Sequence, residues 1–188
     1  MKKILLASVV MLLGVISVMA ATPSGWETDI AKARKRAAAE KKPILLLISG
    51  PEWCGPCRAL DNNVIQKKSF NKIAQKYAVC LFIHHPGKTN PELKAKLDNF
   101  KDIYRGGVPC YAVLDKDLKK INVPKSRSIA GFVGAISEAV VKNGGKPIPE
   151  LKKLEQGDKQ NDKDKKSKKN KKSKKNKKSK KNKKSSTK

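Results

Sequence analysis

"SGPEWCGPCRAL", Ser49 to Leu60, sets two cysteines, Cys54 and Cys57, around a Gly-Pro pair directly behind a tryptophan. The spacing alone admits three chemistries: half of a zinc site, a structural disulfide, or a redox pair. The flanking sequence narrows the choice. "PILLLIS", Pro43 to Ser49, is short and apolar throughout, the pattern of a central strand buried on both faces. Arg58 to about Ile65 reads as helical. The motif therefore stands where a buried strand ends and a helix begins. Helix N-termini carry unpaired N–H groups and partial positive charge. Such a position stabilises a thiolate at Cys54, and a thiol there falls from about 8.5 to roughly 3.5–7.5 in pKa. Cys57 follows one turn later as a more sheltered partner. Pro56 fixes the turn and Trp53 covers the site.

The remaining cysteines argue against zinc. Beyond Cys54 and Cys57 the chain has only Cys80 and Cys110, with no second C-x-x-C, and its two histidines are adjacent, His84 and His85. No metal site is expected. The N-terminus reads Met1-Lys2-Lys3, then an apolar run from Ile4 to about Ala20. That is the form of a secretory signal peptide over residues 1–20, with Val18 and Ala20 placing cleavage after Ala20. An uncleaved anchor is the competing reading, since the run is close to the length that spans a bilayer. Export puts the cysteines in an oxidising compartment, periplasmic or extracellular, where disulfides persist.

The other end has a different character. "KKSKKN" occurs three times in tandem between Lys165 and Asn182. Residues 157–188 hold 17 Lys against 3 Asp, half of the chain's net charge of +28. With no apolar residue to bury and strong self-repulsion, this segment is expected to be a disordered polycationic tail. It reads either as a solvated solubility segment or as an adhesive one that gathers on polyanions by counterion release, with an anionic envelope surface as the partner in the second reading. Aromatic residues are absent from it, which argues against sequence-specific nucleic-acid reading.

Residues 21–156 remain as one domain, long enough for a single core. Ser24 and Glu27 have capping-box spacing, and Trp26, Ile30, Ala33 and Ala37 share a helical face, so a helix is expected from about Trp26. "SFNKIAQKY" reads as a further helix and "AVCLFIHH" as a second buried strand. Asn90, Pro91 and Glu92 open another helix, with Leu93, Leu97, Phe100 and Tyr104 as its stripe and Gly106 and Gly107 as its stop. "VPCYAVLD", a tight turn, and a short strand near Ile121 to Val123 form a hairpin. A closing helix carries Phe132, Ile136 and Val140 inward and ends at Gly144. The first two strands need a crossover and should be parallel, the hairpin antiparallel: an α/β fold, a small mixed sheet sandwiched by helices.

"WCGPC" after an apolar strand, with "GGVPCYAVLD" about fifty residues later, resembles the thioredoxin superfamily, and "KKPILLLISGPEWCGPCRALDNNV" is similar to its exported bacterial branch. The resemblance covers about Gly25 to Lys142. It implies a thioredoxin fold and a thiol–disulfide oxidoreductase, reductase favoured over oxidase or isomerase. Cys54 would be the nucleophile and Cys57 the resolver, with Trp53, Gly55, Pro56 and Pro109 shaping the site. Pro109 matches the family's cis-proline, and Val108 before it would offer backbone groups to an extended substrate peptide. The implied partners are protein thiols and disulfides and a redox protein that exchanges electrons with the domain. No organic cofactor is implied, and the expected state is a monomer.

Two positions depart from the family pattern. Ile48 stands where thioredoxins keep a buried acid, so proton transfer at Cys57 must use water or another group. Cys110 stands where they carry threonine, close to the expected site. It reads either as a small apolar filler or as a third thiol tuning the pair. Cys80 reads as core, and a Cys80–Cys110 bond is open if their strands are neighbours. The rival functional reading is a non-catalytic binding module, tethered to polyanions by the lysine-rich tail.

Overall fold

The computed structural model describes residues 22–157. The expected signal segment and the KKSKKN repeats lie outside them. Strand β1 (Ile44–Ser49) is the spine of the domain, and its six residues are all buried. It has partners on both sides. Strand β2 (Val79–His84) runs parallel to it, with Ile44 opposite Val79 and Ser49 opposite His84. Strand β3 (Cys110–Leu114) runs antiparallel, with Ile48 opposite Cys110. Strand β4 (Lys120–Asn122) completes the sheet in the order β2-β1-β3-β4.

A parallel pair cannot be closed by a tight turn. The crossover here is helix α2 (Gly55–Leu60), a π-helical turn over Asp61–Ile65, and helix α3 (Lys68–Tyr77). Helix α1 (Ile30–Glu40) precedes β1, α4 (Pro91–Asp98) follows β2, and α5 (Ile129–Lys142) follows β4. A short helix over 151–157 ends the described chain.

Period-two alternation splits the core into two layers. Leu45, Leu47, Cys80, Phe82 and Val113 face Leu60, Phe70, Phe132 and Ile136 from α2, α3 and α5. Ile44, Leu46, Ile48, Leu81 and Leu114 face Ala33 and Ala37 of α1, Leu93 and Leu97 of α4, and Phe100. Each fully buried Leu or Ile contributes about 1.5–3 kcal/mol by leaving water. This is the expected α/β thioredoxin fold, a mixed four-stranded sheet flanked by helices.

Two expectations are corrected, and one open alternative is closed. Helix α1 begins at Ile30, capped by Asp29, whose side chain accepts from the Lys32 N–H at 2.8 Å. Trp26 and Glu27 are not helical. The Glu27 N–H donates to the Cys80 carbonyl, and the Phe82 N–H to the Glu27 carbonyl, both at 2.8 Å. The chain is thereby drawn onto the free edge of β2, and Trp26 packs in the layer opposite Ala33 and Ala37.

Helix α4 stops at Asp98, well short of Gly106. The Asn99 side chain donates to the carbonyls of Ala95 and Lys96 and so competes with continued helix. Phe100 and Tyr104 reach the core from the turns beyond.

Cys80 and Cys110 are both free. Their strands are separated by β1 and their side chains lie in different layers, so no bond can join them.

Candidate active site

The end of β1 delivers the chain into a turn in which the N–H groups of Trp53 and Cys54 both donate to the Gly50 carbonyl, at 3.3 and 3.0 Å. Arg58 closes this turn from below: its Nε donates to the Pro51 carbonyl at 3.1 Å and its Nη2 to that of Glu52 at 2.8 Å. Cys54 is the N-cap of α2, in extended conformation, and Pro56 occupies the first turn, where its missing N–H costs nothing. The Arg58 N–H donates to the Cys54 carbonyl at 3.0 Å as the first helical bond.

Cys54 and Cys57 are joined by a disulfide. The Cys57 backbone N–H donates to Cys54 Sγ at 3.2 Å. A donor there favours negative charge on that sulfur once the bond is reduced. Exposure is asymmetric: 5% for Cys54 and 0% for Cys57. Gly55 and Pro56 are exposed beside them.

Trp53 is 48% exposed, yet its indole is fixed. Nε1 donates to the His85 carbonyl at 2.7 Å, and the ring lies across Gly50. A Cβ at Gly50 would overlap both the His85 carbonyl and the Trp53 indole nitrogen, so the position admits only glycine. From the opposite side, the Val108–Pro109 peptide is cis, and the Val108 carbonyl oxygen lies 3.5 Å from Cys54 Sγ. The fold thus brings together Trp53, Cys54, Gly55, Pro56, Cys57, Val108 and Pro109.

Cys110 opens β3, opposite Ile48. It is half-buried among Ile103, Tyr104 and Val108, and its thiol donates to the Ile103 carbonyl at 3.7 Å. Burial pushes its pKa up. Burial pushes Cys80 further, to about 12. Ile48, in the position of the family's acid, is wholly buried opposite Ile83 and Cys110.

Sequence reasoning missed three contributors: Gly50, Arg58 and His85. His85 had been weighed only as a metal ligand beside His84. Its neighbours in the fold include Tyr104, nineteen residues along, and no local pattern announces that contact. His84 instead meets Glu52 at the surface, 3.1 Å apart. Among the described residues no three His, Cys, Asp or Glu side chains converge as a metal-binding set, and no helix is long and apolar enough to cross a membrane.

Comparison with known proteins agrees with this geometry. A family model described as thioredoxin-like matches residues 25–116. The thioredoxin-related protein DsbJ of Chlamydia pneumoniae is 28% identical over 60 residues, which is 32% of this chain and 17% of that relative. The chain thus spans well under two thirds of the curated relative it matches. Among solved structures, a DsbH oxidoreductase superposes with a TM-score of 0.51 at 23% identity, over 69% of this chain and 92% of the other. The oxidised C-terminal domain of Neisseria meningitidis DsbD aligns over 52% of this chain and 86% of its own, at 20% identity and a TM-score of 0.38. The chain has the thioredoxin fold and is similar to thioredoxin-like proteins over residues 25–116, and its Cys54–Cys57 pair is consistent with thiol–disulfide exchange.

Proposed function

We propose that the protein is an exported thiol–disulfide oxidoreductase of the cell envelope, periplasmic or secreted, whose working direction is the reduction of protein disulfides. The observation that carries this reading is the bonded pair at the head of α2, its outer sulfur facing the Val108 carbonyl.

In the dithiol form, the Cys54 thiolate attacks one sulfur of a substrate disulfide. The substrate S–S bond breaks, a Cys54–substrate mixed disulfide forms, and the departing thiolate takes a proton from solvent. Cys57 then loses its proton and attacks Cys54 Sγ. The mixed disulfide breaks, the second substrate thiol leaves, and the Cys54–Cys57 bond re-forms. Two electrons have passed from the pair to the substrate, and a partner dithiol restores the reduced state. Val108 would hold the substrate backbone by strand addition while Trp53, Gly55, Pro56 and Pro109 shape the surface it meets. With Ile48 in place of an acid, the Cys57 proton leaves through water.

Residues 157–188 form the second part of the proposal. Their lysines would hold the domain at an anionic envelope surface, and fully extended they reach at most about 110 Å. A binding module that uses only this tail is the rival. The two separate on one assay. Wild type should reduce insulin with a dithiol donor and Cys57→Ser should accumulate mixed disulfides with substrate. Cys54→Ser should lose reduction entirely. Undiminished behaviour of Cys54→Ser would leave the tail as the working part.

A further inference from the structure

We infer that His85 and Tyr104 are positioning residues that lock the two sides of the disulfide site together and so set how Val108 is presented to a peptide. This rests on the exchange reading above and names a control on its substrate-binding half.

His85 is 5% exposed, and every polar atom it owns is engaged. Its backbone N–H donates to the Ser49 carbonyl at 2.9 Å and its carbonyl accepts from Trp53 Nε1. Its Nδ1 accepts from the Gly87 N–H at 3.2 Å. A ring nitrogen that accepts carries no proton, so in the neutral imidazole the proton sits on Nε2 and is donated to Tyr104 Oη at 3.0 Å. The three rings form a row. Trp53 and His85 centroids are 5.7 Å apart and those of His85 and Tyr104 6.0 Å.

This row spans the site. Trp53 adjoins Cys54, and Tyr104 begins the segment 104–109 that carries Val108 and Pro109. Between them, Arg105, Gly106 and Gly107 are exposed, and a Cβ built at either glycine would meet nothing within 4 Å. The stretch from Arg105 to Gly107 therefore has no packing of its own, and Val108 beyond it rests against the edge of the core. The segment is held by β3 at one end and by Tyr104 at the other, where the Tyr104 N–H donates to the Phe100 carbonyl at 2.7 Å and the hydroxyl meets His85. Releasing that hydroxyl leaves the Val108 carbonyl free to drift from Cys54, which weakens substrate alignment before it touches sulfur chemistry.

Tyr104→Phe keeps the ring and removes only the bond. The expected result is a roughly three- to tenfold rise in KM for a peptide disulfide, with the greater part of the loss in KM rather than kcat. Reduction of a small aromatic disulfide, which has no backbone to place on Val108, should change less than twofold. Hydrogen exchange at the Trp53 indole N–H should quicken in the same variant. His85→Asn should reproduce these effects, and adding Tyr104→Phe to it should do little more, as for two halves of one contact. A competent wild type whose Tyr104→Phe variant keeps its KM and its indole protection overturns the brace alone. Equal losses on the peptide and the small disulfide overturn it too, in favour of a general structural role. A wild type that exchanges with no disulfide overturns the functional reading and the brace together.

Discussion

The Cys54 sulfur and the Val108 carbonyl oxygen meet at 3.5 Å across fifty-four residues of chain. One lies at the head of α2, a turn beyond the end of β1, and the other just before β3, and the antiparallel pairing of Ile48 with Cys110 brings these two ends side by side. On the proposed exchange reading, a peptide bonded to the Val108 backbone would be laid against the Cys54 sulfur by the register of the sheet itself.

In the reduced protein the thiols should divide by reactivity. Cys54 has a helix end and the Cys57 N–H to stabilise its anion. Burial raises the pKa of Cys110 and carries that of Cys80 to about 12. Brief iodoacetamide treatment near pH 6.5, read by peptide mass spectrometry, should label Cys54 at least about tenfold faster than either. Equal labelling of Cys110 and Cys54 would contradict the assigned environments.

Gly50→Ala should be far more damaging than its size suggests. The new methyl group overlaps the His85 carbonyl and the indole that donates to it. A stability loss of about 2–4 kcal/mol in urea, with a red-shifted tryptophan emission, is expected. A variant as stable as wild type would show that Trp53 can leave its place without cost.

Cys80 should give the protein a measurable alkaline weakness. Its folded pKa, about 12, lies above the ordinary thiol value of 9.0, so the native state keeps a proton that the unfolded chain releases. The stabilisation is whole below about pH 9 and is lost as pH climbs towards 12, by roughly 1.4 kcal/mol per unit inside that window. The stability difference between wild type and Cys80→Ala, followed by urea denaturation at pH 8, 9 and 10, should shrink across the series. A constant difference would mean that Cys80 stays a thiol in both states.

Cys110 should prove to be packing. Its thiol is spent on the Ile103 carbonyl among apolar neighbours. Cys110→Thr should cost no more than about 1.5 kcal/mol and leave the Cys54–Cys57 potential unchanged within error. A displacement of about 30 mV, equivalent to about 1.4 kcal/mol, would give it a tuning role instead.

Deleting residues 157–188 should abolish salt-sensitive retention on anionic vesicles and leave insulin reduction intact. Retention that survives the deletion would move the surface contact onto the folded domain.

The parts of this molecule that announced themselves in sequence are those whose neighbours are close along the chain. The strand before Cys54, the cap at Asn90 and the hairpin after Pro109 are each decided within a few residues. The site was legible for the same reason, because Trp53 to Cys57 is one turn. Where reading failed, a distant partner had intervened. Ser24 and Glu27 have the spacing of a helix start, but the unpaired edge of β2 takes Glu27 as a strand residue. The stripe from Leu93 to Tyr104 looks like one helix, and the side chain of Asn99 ends it early. His85 and Gly50 gained their importance only when the ends of β1 and β2 were brought together.

The strand that leads into the turn before Cys54 is flanked on both sides and has no residue at the surface. Such a strand does not fray. Loops around the rim can open and close within the native state, but β1 yields only when the whole domain does, and the turn that seats Cys54 is tied to its end through the Gly50 carbonyl. Loss of stability should therefore remove reactivity in one step with global melting, and heat should produce a falling number of fully competent molecules rather than a population of sluggish ones.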